Sequence, residues 1–256
     1  MIFPAPAFAR FVRCPVIYDL HDLQGVPMPP TTRQVLSRIV RGEVKRELQS
    51  KLATQAIPDA RGARLSVEQL SQEQFAQDIA YTPDEAARGQ RTAFERTLTR
   101  AWALVGLWRA AVAPRIEPIA TDAAYEFKAR EHSITGYFEC VTQDGNRLTA
   151  RSTRVRSRRP AKDETAQNQV LFLPGKASPD ARGACLSWDV TVDYLIDSDP
   201  LSVETQSVER SESIRVALQE RVLNAARAVE AGVFTPTDPQ NWKCLSCSLR
   251  ECCRFV

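Results

Sequence analysis

The spacing of apolar residues changes period twice along this chain. Between residues 31 and 53 they recur at Val35, Ile39, Val44, Leu48 and Leu52, the spacing of a helix with one buried face. Thr31 or Thr32 is placed to cap its start, and the Pro/Gly-bearing stretch 58–62 breaks it. Residues 65–118 keep the helical period. Pro83, followed by Asp84 and Glu85, marks a helix start. Phe94, Leu98, Trp102, Val105 and Val112 then form one long stripe, which Pro114 and Pro118 end. On this pattern Trp102 and Trp108 belong to the core rather than to a base-stacking surface.

The period then shortens to that of strands, at residues 125–130, 133–142 and 147–157. The last two flank Gln143-Asp144-Gly145-Asn146, a tight-turn signal. A short helix is expected over 164–173, stopped by Pro174-Gly175, and a second strand pair over 187–196 and 202–208. The helical period returns over 212–231. There Ile214, Leu218, Val222, Ala225 and Val229 share a face, and Gly232 stands where a C-terminal cap is wanted. The whole predicts an α/β chain without internal repeats.

A length of 256 residues, 43% hydrophobic and 25% charged, fits one globular domain over 1–256. No apolar run is long enough to span a bilayer, so no membrane partner is expected. The start, MIFPAPAFARF, lacks the basic-then-apolar layout of a signal peptide, and a cytoplasmic location is the expectation. Net charge of +3 says little, but its distribution says more: residues 151–162 hold six cations. His21 and His132 are expected to be satisfied or exposed rather than functional.

The seven cysteines are the densest chemical signal. Cys244, Cys247 and Cys253 stand as C-x2-C-x5-C beside Trp242, with Cys252 among them. The C-x2-C spacing lets one turn aim two thiolates at one metal, and Cys253 is near enough to add a third. The fourth ligand is open among Cys14, Cys252, Cys140 and Cys185. Cys140 and Cys185 fall in strand-like runs and read as small buried hydrophobes. Spacing alone does not separate zinc from an iron–sulfur cluster.

This layout resembles the iron–sulfur branch of the RecB-like PD-(D/E)XK nucleases, which includes the CRISPR adaptation nucleases and the AddB helicase–nuclease subunit. Cys14-Pro15-Val16-Ile17-Tyr18 matches the family's N-terminal cysteine, proline and aromatic. Gly232-Val233-Phe234-Thr235-Pro236 and the three late cysteines match its C-terminal signature. The resemblance covers nearly the whole chain, with 65–118 as a helical insertion and 233–256 as the cysteine segment. It implies a mixed sheet flanked by helices. It also implies a [4Fe–4S] cluster on Cys14, Cys244, Cys247 and Cys253 that clasps the termini, with zinc as the alternative.

The resemblance also says where a nuclease centre would stand. Such a centre uses two carboxylates to hold magnesium or manganese and a lysine to offset charge on the phosphate. Gly42-Glu43-Val44-Lys45 aligns with a histidine motif and puts Lys45 in the histidine's place. Gly136-Tyr137-Phe138-Glu139 keeps one carboxylate, Glu139. The second falls on Ser152, the lysine on Arg154, and Gln169 with Phe172 stands for a glutamine motif. One carboxylate makes a poor magnesium site, so the expectation is a nuclease fold without activity. In that case Glu139→Ala would cost little, and Cys14→Ala would destabilise.

The same strand is rich in arginine: Arg151, Arg154, Arg156, Arg158 and Arg159. These are expected to bind the backbone of DNA, with Arg154, Arg156 and Arg158 on one face. Two other readings stand beside this one. The first is an active, Mg- or Mn-dependent DNA nuclease with a migrated site, fed by Glu126, Glu131, Asp163 or Glu164 and by Lys45 or Lys128. The second is a structural subunit of a helicase–nuclease or CRISPR-type assembly, or a zinc-binding interaction protein, with 65–118 as the partner surface.

Overall fold

The computed structural model describes residues 1–160, 187–208 and 211–236, together with Cys244, Cys247, Leu249, Cys252, Cys253 and Phe255. The expected helix over 164–173, Gln169, Asp163, Glu164 and Cys185 lie outside the described residues.

Six strands form one mixed sheet. β2 (Pro118–Ala129), β3 (His132–Asp144) and β4 (Arg147–Arg156) run as an antiparallel meander. β5 (Ser187–Ile196) then lies parallel to β4, and β6 (Ser202–Ser207) closes the sheet antiparallel to β5. β1 (Ile2–Pro4), which the residue pattern did not reveal, pairs parallel with the start of β3. The β3–β4 turn is the expected one. Asp144 pairs with Arg147, and Gly145 takes φ +53 at the first central position, where a tight hairpin wants positive φ.

α1 (Ala5–Arg13) and the short α2 (Pro15–Ile17) open the chain, and a π-helical turn follows at Tyr18–Leu23. α3 (Thr32–Thr54) begins on a capping box: the Thr31 hydroxyl accepts from the Gln34 amide and the Gln34 side chain accepts from the Thr31 amide. α4 (Ala60–Phe75), α5 (Pro83–Arg88) and α6 (Gln90–Ala111) follow. α7 (Glu212–Glu230) ends with Gly232 at φ +64 and a Val233 N–H to Ala228 carbonyl bond, a glycine-terminated helix end as expected.

Three apolar clusters hold these layers. The largest joins α3, α4 and α6 to one side of the sheet through Cys140, Val155 and Leu195. Trp108 is buried there and Trp102 packs against it, as the stripe on α6 requires. The helical stretch after residue 65 is therefore half of the main core, not a peripheral appendage. A second cluster covers Phe138, Ala150, Val190, Val192, Tyr194 and Ile196. The third gathers Phe3, Phe8 and Tyr18 from the N-terminal segment with Leu218 and Val222 of α7 and Phe234. Gly136 has a packing reason of its own: a Cβ there would stand 2.5 Å from the Tyr125 hydroxyl, and the Tyr125 ring lies across it against Phe138.

Candidate nucleic-acid interface and cysteine cluster

β3 is bordered on one edge by β2 along its length. Its other edge is shared: β1 pairs with Ser133, Ile134 and Thr135, and β4 begins only at Cys140. Among the described residues, positions 136–139 have no ladder partner on that edge, so the sheet forks where Glu139 stands. Glu139 is buried, and its carboxylate fills the fork. One oxygen accepts the Thr153 backbone N–H at 2.7 Å, replacing a missing ladder bond, and the other accepts from Arg41 Nε at 2.7 Å. Glu139 thus ties α3 to β4, a structural duty that conflicts with the expectation that Glu139→Ala is cheap.

α3 lines this fork with a ridge at i, i+4 and i+8: Arg41, Lys45 and Gln49. Lys45 makes a 2.8 Å ion pair with Asp122, which also accepts from Gln49 Nε2 at 3.1 Å. Asp122 is a residue that sequence reasoning missed. It sits in β2 at φ +51, a left-handed conformation that costs stability in a non-glycine residue. A lone acid in the run Ile119-Ala-Thr-Asp122-Ala-Ala was the available signal, but the strand was expected to start later, at 125.

Ser152 is buried, beside Thr153 and across from Val192 of β5, and offers no carboxylate. Arg154 is half-buried, and its guanidinium is pushed down to about 10, first by burial and then by the nearby Arg41 charge, with Glu139 working the other way. Lys45, Glu139 and Arg154 therefore stand in one region, together with Arg41 and Asp122. Glu126 pairs with Lys128 at 3.5 Å on the exposed side of β2, and Glu131 with His132 at 3.2 Å.

The arginines of β4 divide. Arg151 forks onto the buried Asp193 of β5 at 3.0–3.2 Å, and Thr205 donates to the same carboxylate at 2.7 Å. Its guanidinium is committed to the core side of the sheet. Arg154 and Arg156 alternate away from it. Arg156 Nε is buried and has no hydrogen-bond partner among the described residues. The strand ends at Arg156, earlier than 157, so Arg158 and Arg159 are exposed beyond it and strand alternation no longer sets the direction of Arg158. Arg159 lies 3.9 Å from Glu204. Tyr137, two positions before Glu139, is 71% exposed.

At the termini, Cys14 and Cys253 border the same apolar cluster, and the Tyr18 and Phe234 rings meet at 6.5 Å. The Cys247 amide donates to the Cys244 carbonyl at 3.2 Å, the tight turn that C-x2-C spacing calls for. None of the six described cysteines is in a disulfide. Among the described residues no three His, Cys, Asp or Glu side chains stand close enough to hold a metal. The donor types and the meeting of the termini fit a thiolate-bound group, while the described side chains are not drawn into one coordination shell. Cys140 is buried, and burial pushes its thiol up to about 12, away from the thiolate that binds metal. His21 is satisfied by the Val26 carbonyl at 2.9 Å.

Comparison with known proteins decides one point. No family model and no curated protein matches the chain. The crystal structure of a proposed exonuclease from Eubacterium rectale matches over 96% of this chain and 92% of its own, at a TM-score of 0.52 and 9% identity. The fold is nuclease-like. At that identity the likeness extends to the fold alone: a six-stranded mixed sheet flanked by helices. A second solved structure, SSO0001, is 12% identical over 92% of this chain and 91% of its own, but its TM-score of 0.36 carries no argument. No helix among the described residues is long and apolar enough to cross a membrane.

Proposed function

We propose that this chain is a nuclease-fold protein that binds nucleic acid, DNA in the first instance, without cutting it. One observation carries the reading: both oxygens of Glu139 are engaged, by Arg41 and by the Thr153 amide, and the resemblance would put the second carboxylate at Ser152. A magnesium ion needs oxygen ligands that are free to turn toward it. In their place the region of the fork offers the cations Arg41, Lys45, Arg154 and Arg156, charges that suit a phosphate backbone. Exposed Tyr137 adds a surface for base stacking.

The test is a fluorescence anisotropy titration with single- and double-stranded DNA over a salt series. The expected result is affinity that falls steeply with salt, with a shallower slope when Arg154→Ala and Arg156→Ala are combined. Binding that ignores salt, or the double variant binding like the parent, overturns the reading.

Asp122 favours a second reading. A strained carboxylate paired with Lys45 beside the fork would serve as a donor for a migrated metal site. Incubation of the same DNA with Mg2+ or Mn2+ separates the two. Cleavage that Asp122→Asn or Glu139→Ala abolishes would replace binding with hydrolysis.

Cys14, Cys244, Cys247 and Cys253 are proposed to hold a [4Fe–4S] cluster. When bound it would supply a cross-link between the N-terminal helices and the C-terminal segment, and so stabilise the closed fold. The shared packing of Cys14 and Cys253 on one cluster supports this. Anaerobic purification with iron and sulfide analysis tests it, and zinc without iron would reassign the site.

A further inference from the structure

A second cationic region lies at the opposite end of α3 from Gln49, outside the fork. The start of α3, α5 and α6 enclose a cleft of about 420 Å3. That is the size of a site for one small organic ligand. Four guanidiniums line it, Arg33, Arg88, Arg96 and Arg100, against two carboxylates, Glu85 and Asp197.

Both carboxylates are already in use. Glu85 accepts from the Thr32 hydroxyl at 2.5 Å and from the Thr82 amide at 2.8 Å, contacts that hold its carboxyl below the usual range against the opposing effect of burial. Asp197 is paired with Arg100 at 2.6 Å, and Arg100 also donates to the Ser198 carbonyl at 2.9 Å. Arg100 is thereby fixed as part of the wall. The remaining cations are a different population. Arg33, Arg88 and Arg96 are exposed, and the Arg96 charge stands near enough to Glu85 to help lower its carboxyl. Thr92, Arg96 and Arg100 fall at i, i+4 and i+8 on α6, so that ridge faces the cleft as a unit. Leu36 and Ala93, both buried, give it an apolar floor. The N-terminal end of the 23-residue α3 adds positive field on one side.

We propose that this cleft binds a phosphate-bearing ligand of nucleotide size, its phosphate held by Arg33, Arg88 and Arg96 and its apolar part on Leu36 and Ala93. Arginine is suited to the phosphate because its planar fork donates two bonds at once. Glu85 and Asp197 would repel an anion, but their engagement by Thr32, Thr82 and Arg100 offsets that cost and leaves three exposed guanidiniums at the cleft. The phosphate belongs to a free nucleotide or to the terminal nucleotide of a strand, which the same chemistry would recognise.

The experiment is isothermal titration of the full chain with five probes: inorganic phosphate, a nucleoside monophosphate, the matching nucleoside, and a short oligonucleotide with and without a 5′-phosphate. The monophosphate or the 5′-phosphorylated strand should bind, more weakly as salt rises, and the nucleoside should not. Arg33→Ala combined with Arg96→Ala should weaken that binding at least tenfold, and Arg88→Glu should do so again. All three positions are exposed, so the variants should keep the parent's melting temperature. Binding of the monophosphate identifies a free nucleotide. Binding of the 5′-phosphorylated strand alone identifies a strand end. The site is overturned if the nucleoside binds as well as the monophosphate, if no phosphate probe binds, or if the double variant binds like the parent. The Arg154→Ala, Arg156→Ala pair should leave monophosphate binding unchanged, so this cleft and the fork can fail independently.

Discussion

α3 carries two charged ridges that differ in their fate. Arg41, Lys45 and Gln49 look into the fork of the sheet, where Lys45 and Asp122 keep 45% and 39% of their side-chain surface exposed. Two residues along, Glu43, Glu47 and Lys51 form a second ridge at the same spacing, and all three are buried. The buried ridge is committed to internal contacts, although one Glu47 oxygen, Oε2, has no hydrogen-bond partner among the described residues. Arg46 pairs with Glu43 at 2.5 Å, Arg109 of α6 forks to Glu47 and to the Pro58 carbonyl, and Lys51 reaches the Ala113 carbonyl at 3.0 Å and Glu117 at 2.9 Å. The half-open ridge retains charge that a ligand can claim. Burial, not residue type, separates structural charge from available charge on this helix.

The comparison breaks hardest at Arg109. Arg109→Ala would leave Glu47 buried without its partner, and urea unfolding should report a loss of about 3–5 kcal/mol. A loss within error would mean that the ridge is not sealed. Next comes Glu139, which belongs to both worlds: buried, yet facing the fork. Glu139→Ala strands the Thr153 N–H and frees Arg41, so about 1–3 kcal/mol should be lost in the same assay. A neutral result would restore the cheaper role that sequence alone suggests.

The third prediction concerns pH. Burial pushes the Glu47 carboxyl up from 4.5 to about 7, with Arg109 opposing and Glu43 reinforcing the shift. The folded chain therefore binds this proton more tightly than the unfolded chain does between those values. The contribution is fully present below 4.5 and is lost as pH rises through 7. Glu47→Gln, neutral throughout, should remove that slope. Relative to the parent it should gain on the order of 1–2 kcal/mol on going from about pH 5 to about pH 8. An unchanged pH profile would contradict the burial-driven shift. The smallest expected effect is at Lys45. Lys45→Ala should change stability by less than about 0.5 kcal/mol, because its pair with Asp122 is solvated. It should nevertheless weaken DNA binding and reduce its salt slope by about one. A large stability loss would move Lys45 to the structural side.

Much of the fold was legible because periodicity reports burial directly. The apolar stripes of α3, α6 and α7 and the Asp144-Gly145 hairpin stand where the pattern puts them. β1 and α1 were not legible, since three strand residues and a nine-residue helix that begins Ala5-Pro6 give no period. Around the fork, Lys45, Glu139 and Arg154 had been singled out by motif spacing. Arg41 and Asp122 were not, because an ion pair between helix and strand leaves no trace in either segment alone. Arg151 looked like its neighbours until β5 brought Asp193 beside it.

By itself the sequence determined most of the helices and strands after residue 31, the Asp144-Gly145 turn chemistry and the clustering of cysteines, all of which are local in the chain. Only the tertiary structure decided which charges are spent. Whether Arg151 or Arg156 has a partner, whether Glu139 is free to hold an ion, and which arginines gather around the cleft between α3 and α6 depend on what other segments bring within about 3 Å. That distance is set by packing between elements far apart in sequence, and no pattern along one element contains it.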